Sequence, residues 1–112
     1  MRRSLDAGKA VTLDRVQTIA DGLAAPMAGD LTFPVVQRLV DDVVLVPDDA
    51  IAAAMRDLLR FTKMLVEPGG AAATAAILSG AIPVDGYRRV GIILRANHHL
   101  RRNSGRRRKL RH

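Results

Sequence analysis

Cysteine and tryptophan are absent from this 112-residue sequence, and its only aromatic residues are Phe33, Phe61 and Tyr87. Without cysteine there is no disulfide-stapled secreted scaffold, no cysteine-based zinc site and no thiol nucleophile. None of the three aromatics lies in residues 95–112, so that stretch has no aromatic on which a nucleic-acid base could stack. No apolar run approaches the roughly 18–20 residues that a membrane span needs. The start, Met1-Arg2-Arg3-Ser4-Leu5-Asp6, is basic but lacks the long apolar stretch of a signal peptide. A reducing, cytoplasmic setting is the expectation. The length suits one small domain.

Charge is unevenly spread along the chain. The whole carries 18 Lys+Arg against 11 Asp+Glu, a formal net charge of +7. Residues 95–112 hold Arg95, Arg101, Arg102, Arg106, Arg107, Arg108, Lys109 and Arg111 and no acid, which leaves the first 94 residues at a net of −1. The sharpest boundary in the sequence therefore divides a near-neutral body, 1–94, from a basic tail, 95–112.

Within the body, residues 4–22 read as loop or short strand, with turn residues at Ala20-Asp21-Gly22 and again at Pro26 to Asp30. Thr32 is placed to cap a helix whose first turn tolerates Pro34, and Phe33, Val36, Leu39 and Val40 fall on one face. Asp42-Val43-Val44-Leu45-Val46-Pro47 reads as a strand buried on both sides. Asp48-Asp49 then opens a helix striped by Ile51, Met55, Leu58, Leu59, Thr62 and Leu65. Glu67-Pro68-Gly69-Gly70 breaks it, and the alanine-rich stretch from Ala71 to Leu78 predicts a closely packed helix. After a turn at Pro83-Val84-Asp85-Gly86, Arg89-Val90-Gly91-Ile92-Ile93-Leu94 reads as a second buried strand. The order is an α/β pattern with part of a parallel sheet.

Four motifs carry a family resemblance. They are Thr18-Ile19-Ala20-Asp21-Gly22-Leu23-Ala24, Leu31-Thr32-Phe33-Pro34, Leu39-Val40-Asp41-Asp42-Val43, and Lys63 with Val66-Glu67-Pro68-Gly69-Gly70-Ala71. In this order and spacing they resemble the later part of the threonine/serine dehydratases. These are pyridoxal-phosphate ammonia-lyases of the tryptophan-synthase-β-like fold (fold type II), to which serine racemase is related. The resemblance runs from about Ser4 to Leu94. It implies dehydration of a β-hydroxy amino acid to a 2-oxo acid and ammonia, on a cofactor that supplies the electron sink. It also implies homo-oligomers. Gly22 matches the glycine that lets backbone approach one face of the pyridine ring. Glu67 matches the family's glutamate near the ring edge; read without the family, it is a helix-end carboxylate bonding local N–H groups. Lys63 matches a structural lysine, and Asp21 closes the turn that holds Gly22.

Other family features have no counterpart. The Schiff-base lysine, the substrate loop and the glycine-rich phosphate loop lie in an earlier segment of such enzymes, and Lys9, Lys63 and Lys109 stand in no matching context. Where the second strand usually runs into Ser-Gly-Gly-Asn, this chain has Ile93-Leu94-Arg95-Ala96-Asn97, and Leu94 cannot offer the serine's hydrogen bond to the ring nitrogen. The expectation is a truncated fragment, with a reading-frame change near Leu94, that assigns no catalytic residue, holds no covalent cofactor and is inactive alone.

The tail is open to three readings: phosphate-backbone binding, an anionic membrane surface, or a disordered, solvated charge run. Adjacent His98 and His99, with His112, make a poor preorganised metal site, and no metal is expected. Besides the dehydratase fragment, two alternatives stand. One is a basic-tailed nucleic-acid-binding protein with non-specific contacts. The other is an interaction module that pairs with a full-length dehydratase through its incomplete sheet.

Overall fold

Arg2 and Asp6, one helical turn apart, form an ion pair at 3.1 Å on the first helix, α1 (Arg2–Ala7). The structure, a computed structural model, describes residues 1–95. Gly8 ends α1 in the left-handed conformation (φ 65°), where its N–H and that of Lys9 satisfy the last carbonyls, of Leu5 and Ser4. The start of the region expected to be loop or strand is thus helical. Gly8 acts as a helix stop instead of a loop turn. The Ser4 side chain is buried and its Oγ accepts the Val11 N–H at 3.0 Å, while Arg2 also reaches Asp42 at 2.5 Å. These bonds tie α1 to the segment entering the core.

Ala20 is buried and starts a short 3-10 turn, Asp21–Leu23. The next helix, α2 (Thr32–Leu39), carries Pro34 in its first turn as expected. Thr32 does not cap it: its hydroxyl donates to the Gly29 carbonyl at 3.2 Å, and Leu31 occupies the N-cap position. Of its apolar stripe, Phe33 is buried and Val36 half-buried, whereas Leu39 and Val40 are exposed.

The centre of the molecule is the packing of α3 (Asp48–Asp57) on α4 (Pro68–Leu78). Ile51, Ala54 and the following Leu58 meet Ala71 and Ala75, with Ala20 and Val66 completing the cluster. Alanine at the contact lets two helices approach closely, at the cost of little apolar area per residue. The α3 stripe was expected to run through Leu65. The helix instead passes into a π turn, Leu58–Thr62, and stops at Lys63, which is left-handed at φ 61°. The Thr62 hydroxyl donates to the Leu58 carbonyl at 2.6 Å and the Lys63 ammonium to the Arg60 carbonyl at 2.8 Å. Chain reversal four residues before Glu67 frees Val66 to enter the core. Gly80 (φ 74°) follows α4, and Gly86 (φ 88°) lies in the expected turn, with the Tyr87 N–H bonded to the Val84 carbonyl.

Among the described residues there is no β-strand. The parallel sheet expected from residues 42–47 and 89–94 is therefore not formed by them. β-branched composition marks a strand only where a neighbouring strand takes up the backbone hydrogen bonds, and here neither segment has a ladder partner. The basic tail, with His98, His99 and His112, lies outside the described residues from position 96 on.

Candidate functional site

The loop bearing Gly22 is held by a carboxylate from another element. Asp48, in the first turn of α3, accepts the Thr18 hydroxyl at 2.6 Å and the Ile19 N–H at 3.0 Å. Thr18 Oγ1 in turn accepts the Ala20 N–H at 3.1 Å. Asp48 was expected to serve its own helix; it serves this loop. Within the turn, the Asp21 carboxylate accepts the Gly22 N–H at 2.7 Å, and the Leu23 N–H reaches the Ala20 carbonyl at 2.8 Å. Asp21 thus has the turn-closing part expected of it.

Gly22 is brought against the first turn of α4. A Cβ built on Gly69 would stand 4.0 Å from Gly22 Cα and 3.5 Å from Leu23 Cγ, whereas one built on Gly22 would meet nothing within 4 Å. Two glycine backbones therefore lie side by side, and the one on the loop borders open space. Gly70 sits deeper: its Cβ would fall on the Arg95 carbonyl oxygen and press on Val66. Only glycine lets residues 94–95 lie so close to α4.

Glu67, at the N-cap position of α4, makes no capping hydrogen bond with its side chain. Its part-buried carboxylate instead faces the exposed Arg95 guanidinium, with Oε1 4.0 Å from Nε. The Glu67 side chain therefore does not cap α4. Leu94 is half-buried and packs against the α3–α4 cluster. Gly22 and Glu67, which lie 45 positions apart in the sequence, thus flank one end of α4. Arg95, read as the first residue of the tail, belongs to the same end. No signal in the sequence pointed to its carbonyl against Gly70.

Chemically, this end offers bare backbone, one carboxylate and one guanidinium. The described lysines are elsewhere occupied or exposed: Lys63 donates to its own π turn, and Lys9 is exposed. Among the described residues no group of three His, Cys, Asp or Glu is arranged to hold a metal, and no helix is long and apolar enough to cross a membrane.

Comparison with known proteins places the chain in a family. The sequence pattern described as "Pyridoxal-phosphate dependent enzyme" matches residues 1–95, most of the chain. The chain belongs to the pyridoxal-phosphate dependent enzymes. Over 77 residues it is 52% identical to a serine racemase of Oryza sativa, covering 69% of this chain and 22% of that one. Over 75 residues it is 47% identical to the biosynthetic L-threonine dehydratase of Pasteurella multocida, covering 67% and 15%. Among solved structures, serine racemase from Dictyostelium discoideum matches with a TM-score of 0.75 at 36% identity, over 87% of this chain and 31% of that one. Maize serine racemase matches with a TM-score of 0.68 at 51% identity, over 71% and 25%. The chain thus spans about a fifth of the length of the curated relatives it matches. The cofactor of this family is pyridoxal phosphate.

The described residues fit that cofactor in part. Gly22 borders open space beside its backbone, and Glu67 precedes the first turn of α4, against which Gly22 lies. A lysine to form an imine and a donor or acceptor in the place of Leu94 are missing among them, so they do not make a complete cofactor site.

Proposed function

We propose that this chain supplies one wall of a pyridoxal-phosphate site in a domain of the threonine/serine ammonia-lyase and serine racemase type, and that it performs no dehydration by itself. Gly22 is the surface for one face of the ring, and Glu67 lies at the ring edge. Residues 42–47 and 89–94 become strands of a parallel sheet when neighbouring strands are supplied, and residues 1–94 act as one unit. The single observation that carries this reading is that the Gly22 backbone lies against Gly69 in the first turn of α4 while its own open side is unfilled. The relatives that are threonine dehydratases and serine racemases support the reaction class. The family match, which stops at residue 95, supports the boundary.

Pyridoxal phosphate supplies the electron sink in such reactions, and the protein supplies binding, orientation and proton control. Of these tasks, Gly22 serves orientation by excluding a side chain from the ring's path. Asp48, through Thr18 and Ile19, keeps that backbone in place. The 112-residue chain mixed with pyridoxal phosphate and L-serine or L-threonine is expected to release no 2-oxo acid above the cofactor-only control. Sustained, protein-dependent turnover would overturn the reading.

A further inference from the structure

A cavity of about 420 Å³ opens between α1, the loop of residues 11–15 and Leu45, and it shares no lining residue with the Gly22 and Glu67 end. Three hydrogen bonds fix its walls. The buried Ser4 hydroxyl accepts the Val11 N–H at 3.0 Å, and the Leu13 N–H reaches the Pro26 carbonyl at 2.8 Å. From α1, the Arg2 guanidinium donates to the Val43 carbonyl at 3.3 Å, beside Leu45 in the chain. The volume falls within the roughly 300–1,000 Å³ of small-molecule sites, which pair an apolar lining with a few placed polar groups.

The lining divides by chemistry. Val11, Leu13 and Leu45 make an apolar wall, while Arg2, Arg3 and Arg15 bring guanidinium groups and Asp14 a carboxylate. Arg2 is already paired with Asp6 and Asp42. Arg3, Arg15 and Asp14 make no ion pair among the described residues. These unpaired groups set two guanidinium charges against one carboxylate, an excess of one positive charge. A guanidinium fork matches the two oxygens of a carboxylate. A dianion would exceed that balance and meet repulsion from Asp14.

We propose that this cavity is a binding site for a small organic monocarboxylate with an aliphatic body. Its oxygens accept hydrogen bonds from Arg3 and Arg15, and its hydrocarbon lies on Val11, Leu13 and Leu45. The inference stands apart from the reading of the α4 end as a cofactor wall.

Residues 95–112 carry eight basic side chains and no acid, so any anion is drawn to the chain and the readout has to identify residues. The test is a nuclear magnetic resonance titration of the full 112-residue chain with isocaproate, at about 150 mM salt to screen the tail. Saturable shifts are expected at residues 2–4, 11–15 and 45. Acetate, the same head without the body, is expected to bind about tenfold more weakly. The double variant Arg3→Gln/Arg15→Gln is expected to lose the saturable shifts and keep the helical circular-dichroism signal of the parent chain. Leu13→Ser is expected to erase the preference for isocaproate over acetate. The idea is overturned if acetate binds equally well, if shifts fall only on residues 95–112, or if the double variant binds like the parent. It also falls if isoamylammonium binds more tightly than isocaproate, because Asp14 then governs the cavity. Loss of helical signal in the double variant counts against it too, since both arginines are exposed and would then be holding the fold. No readout involves pyridoxal phosphate, so either proposal can fail while the other stands.

Discussion

Thr74 is buried on α4, and its hydroxyl has no hydrogen-bond partner among the described residues. An unsatisfied buried hydroxyl carries a desolvation cost of about 1–3 kcal/mol. Thr74→Val keeps the shape and removes the cost, so we expect stability to rise by about 1 kcal/mol in denaturant titration, while Thr74→Ser lowers it. The two neighbouring glycines at the start of α4 separate packing from propensity. Gly69→Ala meets Leu23 at ordinary contact distance, 3.5 Å, and gains helix propensity; it is expected to be neutral or stabilising by up to about 1 kcal/mol. Gly70→Ala drives a methyl into the Arg95 carbonyl and is expected to cost about 1–3 kcal/mol. Nuclear magnetic resonance shifts confined to residues 66–71 and 94–95 would locate the damage. Equal effects of the two substitutions would show that the close approach of residue 95 is not formed in solution.

At the scale of elements, the sequence makes some parts legible and hides others for definite reasons. The alanine-rich helix and the turns at 20–22 and 83–86 can be read because their signals are local: propensity in one case, glycine and aspartate in the others. The end of α3 cannot be read, because apolar spacing continues to Leu65 while the chain reverses at Lys63, a residue without a turn signature. The strands read at 42–47 and 89–94 fail differently. Their β-branched residues specify an environment with neighbours on both edges, and that environment is not made by residues 1–95 alone. At the candidate site, Gly22 and Glu67 are singled out only by family resemblance. The Asp48 tie was hidden because two consecutive acids before a helix normally serve that helix. Asp48→Ala removes two hydrogen bonds to the Gly22 loop, one charge-assisted to a backbone N–H, and is expected to cost about 1–3 kcal/mol. Hydrogen exchange should then speed up at residues 19–23 and stay unchanged in the middle of α4; uniform change along the chain would contradict a local tie.

Taken as a whole molecule, the chain buries little of its apolar surface. Its core is a few large apolar residues and several alanines, while Leu31, Leu39, Phe61, Tyr87 and other large hydrophobics stand exposed. A core this small contributes little against the conformational entropy of ordering the backbone. We therefore expect a broad, weakly cooperative melt for the isolated chain. The end of α4 has bare backbone at Gly22 and Gly69, and Lys63 is bonded within its own π turn. The most direct test is the absorbance spectrum of the purified 112-residue chain with pyridoxal phosphate, before and after borohydride. No stoichiometric band at about 410–420 nm, the signature of a lysine-bound cofactor, and no mass increase after reduction are predicted. A one-to-one band trapped by borohydride on a single lysine would contradict the claim that this chain forms a wall of the site and not its covalent anchor.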